Sequence, residues 1–576
     1  MRKVFTYLKP YKISVSVALI LTLIELVIEL LLPLFLGMMI NEGVVNKDLN
    51  NVIMWGSLMI GLSLFSFLCG IINSFYASHA STAFAYDIRK DLFDKIQTFS
   101  FANLNKYPTS ALVTRFTNDV RQVQNTVFMG LRIMLRAPLM VLGGVIMAFI
   151  VNAKIALIFL VTVPLLVTFI FWVLKRASVM FRKVQVKVDN VNRTMQENLS
   201  GMRLIKAFYR HDHEKERFTK ANEELATTTR KTFRFVEASM PILLFVMNLS
   251  LIFIIWFGNM QSISGNAQVG DVVAIVNYGL RTAMAISMFT FITMAFSRMK
   301  ASSERISEVL ELEVDLTDHE DAKGEASVSR GEVVFNNVSF TYPHTTTRIL
   351  KNFSFTLRAG EKLAIIGATG AGKTTLFQLI PRLYDVESGE ILIDGKPITS
   401  YKLKDLRNSI GYVSQSPLLF SGSVAENIAW GKENASMEEI KQAAKDAQIH
   451  DLIMNLPKKY DTNISQRGVN LSGGQQQRIS IARALIRNPK ILMFDDSTSA
   501  LDLATEARLL DALDHYDSST LIITQKVATA IRADRILLMD HGELLAIGTH
   551  EELLETSDLY KDIVKSQFGE ELPYAT

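Results

Sequence analysis

The stretch Gly367-Ala368-Thr369-Gly370-Ala371-Gly372-Lys373-Thr374 decides how this chain is read. Its spacing is G-x-x-x-x-G-K-[ST]. Lys362–Ile366 before it is a short apolar run that reads as a buried strand, and Thr375–Ile380 after it reads as the first turns of a helix. Strand, glycine-rich loop and helix are the context such a loop requires. The glycines let backbone N–H groups close around phosphate oxygens, and a helix N-terminus adds partial positive charge. Lys373 is therefore expected to reach the β- and γ-phosphates of a nucleotide. Thr374 would offer its hydroxyl to Mg²⁺, with Thr375 next in the binding set.

Outward from the loop, the chain runs to 576 residues, too many for a single core. It is 49% apolar, with 61 basic and 57 acidic residues and a net charge of +4. That balance is too even for a nucleic-acid binder. The single cysteine, Cys69, excludes a disulfide framework within the chain. Six apolar runs reach the ~20 residues needed to cross a bilayer. They are Ile13–Ile40, Val52–Tyr76, Ile133–Val151, Ile155–Leu174, Ala238–Met260 and Val272–Ser297. The first lacks a small-residue cleavage pattern and is too long for a leader, so it is read as retained. Arg2, Lys3, Lys9 and Lys12 precede it, and the stretches His79–Arg132 and Lys175–Arg234 are rich in Lys and Arg. The opposite connections carry few basic residues, which sets both termini on the cytoplasmic side of a plasma membrane. Ala83–Thr98 and Arg176–Ser200 keep helical periodicity, so the spans are expected to continue beyond the bilayer. Pro108–Asp119 and Phe208–Glu214 read as short elbows able to touch another domain.

Three charges inside these runs are singled out: Glu25 and Glu29 in the first, Arg281 in the sixth. Intramembrane charges are costly and face a cavity or a partner. At 1.5 Å per residue Glu25 lies roughly 18 Å in from the cytoplasmic side and Arg281 about 14 Å in from the other, within a core about 30 Å thick. They share a depth, so Arg281 is expected to pair with one of the two acids, and the acids to line a cavity. Met284 and Met288 begin a Met- and Phe-rich stripe on the sixth run, a surface suited to varied apolar guests.

From Gly331 the pattern changes to short β-rich runs and then to alternating strands and helices. Gly411-Tyr-Val-Ser-Gln415 ends a strand, and Leu471-Ser-Gly-Gly-Gln475 opens a helix. Ile491–Asp496 is an apolar strand ending in two carboxylates, followed by Ser499-Ala-Leu-Asp502. One carboxylate is available to a metal ion and the next to an attacking water. The expected organisation is an α-helical six-span transmembrane domain at residues 1–300, a linker at 301–330, and an α/β P-loop nucleotide-binding domain at 331–576.

In this order, the motifs resemble those of an ATP-binding cassette exporter half across essentially the whole chain, with Leu471–Gln475 the most specific of them. The resemblance implies ATP and Mg²⁺ as ligands, with Tyr342 stacking on adenine. Gln415 would contact Mg²⁺ and sense the membrane domain, and Asp495 would be the Mg²⁺-associated carboxylate. Ser472, Gly473, Gly474 and Gln475 resemble the signature that closes over ATP held by the opposite subunit. One chain would then hold no complete site. A second exporter half, membrane lipid and a small amphipathic substrate are the implied partners.

Three positions depart from the family pattern. Asp496 stands where Glu is usual, Gln525 where a switch histidine is usual, and Gln466 where a glutamate usually precedes the signature. The Asp496 carboxylate sits about 1 to 1.5 Å back from a Glu carboxylate, roughly one C–C bond. Misplacement of about 1 Å can cost about a hundredfold in rate. Gln525 can donate a hydrogen bond but cannot carry a positive charge. The pattern resembles the degenerate-site subunit of heterodimeric bacterial multidrug exporters, which binds ATP, hydrolyses it slowly and lends an intact signature to a non-identical partner; the alternatives are a lipid or peptide exporter subunit, or a homodimeric exporter in which Asp496 serves as the base.

Overall fold

The computed structural model describes residues 2–318, 327–343 and 345–569. The acidic heart of the expected linker, residues 319–326, lies outside them. The chain divides into two compact units, Met1–Gln97 with Thr109–Leu312, and Thr98–Pro108 with Glu313–Thr576.

Six long helical segments build the first unit: Lys3–Val44, Leu49–Gln97, Thr109–Val151, Ala153–Ser200, His211–Ile263 and Val269–Leu310. The shortest is 42 residues, about 63 Å at 1.5 Å per residue and roughly twice a bilayer core. The continuation expected from periodicity is therefore present. Helices one and six meet backbone to backbone, since a Cβ at Gly270 would lie 2.1 Å from the Gly37 carbonyl oxygen. Small residues allow such approaches where apolar burial gives no drive between helices. A core of Ala148, Ile155, Phe159, Ile254, Ile275 and Tyr278 knits spans three to six.

The intramembrane charges form one network, with a fourth member that the reading of the spans left out. Arg136, near the start of the third run, donates to Glu25 Oε2 at 3.4 Å and also bonds Glu29. Arg281 pairs with the other Glu29 oxygen at 3.1 Å, as expected from the shared depth. Glu25 is buried and takes a further hydrogen bond from Asn73 Nδ2 at 3.2 Å. Two acids and two guanidiniums thus neutralise one another. Removing Arg136 leaves the buried Glu25 without its cation, at a cost below the ~3–5 kcal/mol of a fully buried pair because the Arg136 side chain is partly exposed. Arg136→Met is expected to lower the apparent unfolding midpoint in detergent by several degrees, and adding Glu25→Gln to recover most of the loss. A midpoint that stays put in the single variant would show the network to be dispensable.

Both elbows lie earlier in sequence than expected. The first spans Thr98–Pro108 and holds the short helix Phe101–Lys106, capped reciprocally by Ser100 and Asn103. Pro108 ends the elbow, and Thr109 starts the next helix. Proline suits such a start because its missing N–H would have no helical partner there. The second elbow is the helix Met202–Ala207 with Phe208, Tyr209 and Arg210, where Tyr209 takes a left-handed φ of 52°. His211 already opens the fifth span, with Asp212 and Glu214 complementing the positive end of the helix.

The described residues of the second unit carry twelve strands. They are β1 Val333–Thr341, β2 Arg348–Leu357, β3 Lys362–Gly367, β4 Ser388–Ile393, β5 Lys396–Pro397, β6 Ile410–Val413, β7 Gly422–Ser423, β8 Asn463–Ile464, β9 Ile491–Asp495, β10 Ser519–Ile523, β11 Arg535–Asp540 and β12 Glu543–Gly548. The main sheet runs β12-β11-β3-β10-β9-β6, parallel except for the β11–β12 hairpin. Leu363–Ile366, Ile491–Asp495 and Ser519–Ile523 are buried throughout, as central parallel strands covered on both faces must be. An antiparallel sheet, β2-β1-β4-β5, packs its Phe335, Phe340, Phe353 and Phe355 into the core that also covers β3 and the helix Lys373–Leu379.

Candidate active site

Parallel strands bring their carboxyl ends to one edge, and ligands of such sheets bind there. The order β3-β10-β9-β6 therefore gathers four sequence-distant loops: 367–374 after β3, Asp496 after β9, Gln525 after β10 and Gln415 after β6. They line a cleft of about 270 Å³ together with Tyr342.

The phosphate loop closes on itself through Lys373. Its Nζ donates to the Gly367 and Ala368 carbonyl oxygens, both at 2.8 Å. Burial holds the ammonium below its usual pKa range, opposed by the nearby Asp496 and Asp495 carboxylates. Gly372 sits at the helix N-cap with φ 100°, a conformation that favours glycine, and Gly370 has φ 86°. Ala371 is buried, and its carbonyl accepts from Gly542 N at 3.1 Å. Thr369, Gly370, Gly372, Lys373, Thr374 and Thr375 face the cleft, while Gly367 and Ala368 border an adjacent groove.

Thr374 Oγ1 donates to Asp495 Oδ1 at 3.1 Å, and Tyr412 Oη donates to Asp495 Oδ2 at 3.1 Å. Burial raises the Asp495 pKa, while these two hydrogen bonds pull it down. Tyr412 is a site residue that sequence reading passed over, although it lies inside the quoted Gly411–Gln415 stretch. Its signal was the pairing of β6 with β9, which sets Tyr412 against Met493, two residues before Asp495.

Asp496 adopts φ 46°, and its N–H donates to the Ile523 carbonyl at 3.0 Å. Burial raises its pKa as well, against the lowering effect of Lys373. Gln415 Nε2 donates to Asp496 Oδ2 at 3.4 Å, so the residue expected to contact Mg²⁺ and the carboxylate expected beside the attacking water meet directly. Tyr342 shares a hydrogen bond with Thr375 Oγ1 at 2.9 Å and donates to Gln378 Oε1 at 3.0 Å. Phe340 and Tyr384 pack edge-on to its ring at 5.0 and 5.3 Å.

Lys526, beside Gln525, is a second residue that sequence reading missed. Its Nζ reaches the carbonyls of Thr498 and Leu501 and the buried Glu506 Oε2 at 3.3, 3.4 and 2.8 Å. It thereby ties the Gln525 loop to the Ser499–Asp502 turn.

Ser472, Gly473, Gly474 and Gln475 do not line this cleft. They open the helix Gly473–Leu485, where Ser472 Oγ accepts from Gln475 N at 3.4 Å and Gln475 Oε1 accepts from Ser472 N at 2.9 Å. Gln466 lies in the preceding turn, followed by Arg467 at φ 59°. One chain thus presents a nucleotide cleft and, elsewhere, an exposed helix N-terminus suited to an anion. The donor set at the cleft fits a hard cation. Thr374, Asp495 and Gln415 all offer oxygen, the ligand type Mg²⁺ takes when phosphates complete its shell.

Six membrane-length helices and a P-loop cleft define a membrane-embedded nucleotide hydrolase. Family comparison matches residues 15–285 to the ABC transporter transmembrane region and residues 350–499 to the ABC transporter domain. The chain is 53% identical over 574 residues to the ABC transporter ATP-binding protein YfiB of Bacillus subtilis, covering 99% of both. It is 34% identical to the ATP-dependent lipid A-core flippase of Syntrophus aciditrophicus, covering 87% of this chain and 84% of that one. It is 33% identical to YgaD of Bacillus subtilis, described as a candidate multidrug export ATP-binding/permease protein, over 98% of this chain and 99% of that one. A bacterial Atm1-family ABC exporter with ATP bound shares the fold with a TM-score of 0.80 at 24% identity, covering 97% of this chain and 99% of that one. The chain belongs to the ATP-binding cassette transporters, as an exporter-type half with one membrane domain and one nucleotide-binding domain. It is a multi-pass membrane protein and a transport ATPase.

Proposed function

We propose that this chain is one subunit of a heterodimeric exporter of amphipathic compounds, carrying the slow ATP site and lending its signature to a non-identical partner. The observation that carries the reading is the split between the two half-sites. Asp496 and Gln525 stand in the chain's own cleft, where Glu and His would be usual, while the unaltered Ser472–Gln475 signature lies outside it. ATP binding shifts such a pair between states in proportion to its differential affinity for them. A site that holds ATP without turning it over then favours closure through successive cycles of the other.

In the slow site, Lys373 would hold the phosphates, Tyr342 the base, and Thr374, Asp495 and Gln415 the Mg²⁺, which would supply neutralising charge when bound. Asp496 polarises water from too far back, and Gln525 donates without charge. In the membrane, Met284 and Met288 are exposed and line the substrate path. Glu25 and Glu29 are already matched by Arg136 and Arg281, which supports amphipathic over strongly cationic substrates. The similarity to the lipid A-core flippase favours lipid as a second substrate class. Both termini lie in the cytoplasm of a bacterial cell.

Asp496→Glu tests the asymmetry. The variant complex is expected to hydrolyse ATP within about twofold of the original, because the fast site belongs to the partner. A gain of about tenfold or more would place the limiting chemistry at Asp496 and contradict the reading.

A further inference from the structure

The loop bearing Gln525 lacks a cap of its own. Lys526 occupies the N-cap of the short helix Val527–Ala530 and makes no capping bond there, and lysine is not among the side chains that cap well. One side chain far along the chain supplies what is missing. Gln567 Nε2 donates to the Gln525 carbonyl oxygen at 2.7 Å, and Gln567 Oε1 accepts from Val527 N at 2.9 Å. A carboxamide can do both because it carries a donor and an acceptor side by side.

The clasp has a firm base. Gln567 lies in the last turn of the helix Asp558–Phe568, whose buried Tyr560 and Val564 pack with Ala364 and Ile366 of β3. That strand leads into the phosphate loop. Tyr560 Oη is also hydrogen-bonded to His550 Nδ1 at 2.8 Å. Gln567 itself is exposed, so changing it disturbs little packing.

We propose that Gln567 is a positioning residue for the nucleotide site: its carboxamide fixes the backbone of residues 525–527 and so sets where the Gln525 side chain meets bound nucleotide. The proposal rests on Gln525 being a nucleotide-facing residue of this chain's cleft.

The test uses the whole complex in mild detergent, loaded with 8-azido-[α-³²P]ATP, chased with unlabelled ATP and photolysed, with label counted on this chain. Q567M removes both hydrogen bonds, and Q567E keeps only the acceptor. Release is expected to quicken by about fivefold in Q567M and by an intermediate factor in Q567E, the scale of one or two solvent-accessible hydrogen bonds. The unfolding midpoint should be unchanged. In a Q525A background Q567M should add little, since residues acting through one another are non-additive. The same factor in both backgrounds, or a fallen midpoint, would show a general structural role and overturn the proposal. Unchanged release in Q567M while Q525A alters it would overturn the proposal and leave the reading of Gln525 standing. Unchanged release in Q525A itself would overturn both.

Discussion

Replacing Ser472 with Arg is expected to lower the steady-state ATPase rate of the purified complex by about a hundredfold or more, the scale of losing a preorganised donor at a developing charge. Ser472 is the exposed N-cap of the helix Gly473–Leu485, and neither it nor the first residues of that helix line the chain's own cleft. The first N–H groups of a helix have no internal partners and suit an anion. An arginine there removes the hydroxyl and fills the space a phosphate must enter. Losing the cap costs only about 1 kcal/mol, too little to unfold the domain. Photolabelling of this chain with azido-ATP should therefore persist while turnover collapses. A rate within about threefold of the original would mean that this signature completes no working site.

Lys373→Ala has the opposite signature. It should weaken nucleotide binding at this chain by about thirtyfold or more, the scale of charge-assisted hydrogen bonds. Lys373 does two things that alanine cannot. It brings the only side-chain positive charge of the phosphate loop, and its Nζ clasps the Gly367 and Ala368 carbonyls. Azido-ATP label should vanish from this chain and remain on the partner, read by separating the two chains after photolysis. Undiminished label on this chain would show that backbone N–H groups alone hold the phosphates.

These two variants probe parts that were legible in the sequence for different reasons. The phosphate loop and the signature are local: their glycines, capping serine and flanking apolar runs stand within a few residues of one another. The six spans were legible because length and hydropathy alone select them. What escaped depends on topology. Tyr412 meets Asp495 only because β6 pairs with β9, and Lys526 meets Glu506 only because β10 ends beside the turn after β9. Gln567 is 42 residues from the backbone it holds. Arg136 escaped for a simpler reason. It lies near the start of an apolar run, where a cation reads as a flank, yet it bonds both acids of the first span. The first elbow was misplaced because Pro108 read as an interruption, although it ends one element and prepares the next.

The composition of the complex tests the central claim most directly. The chain is tagged at its C-terminus, extracted from its native membrane in mild detergent, purified and measured by intact mass. The asymmetric account predicts a second, different chain of similar size in equal amount. Recovery of this chain alone as a dimer with substantial ATPase would contradict it, and would show that Asp496 and Gln525 suffice for the chemistry.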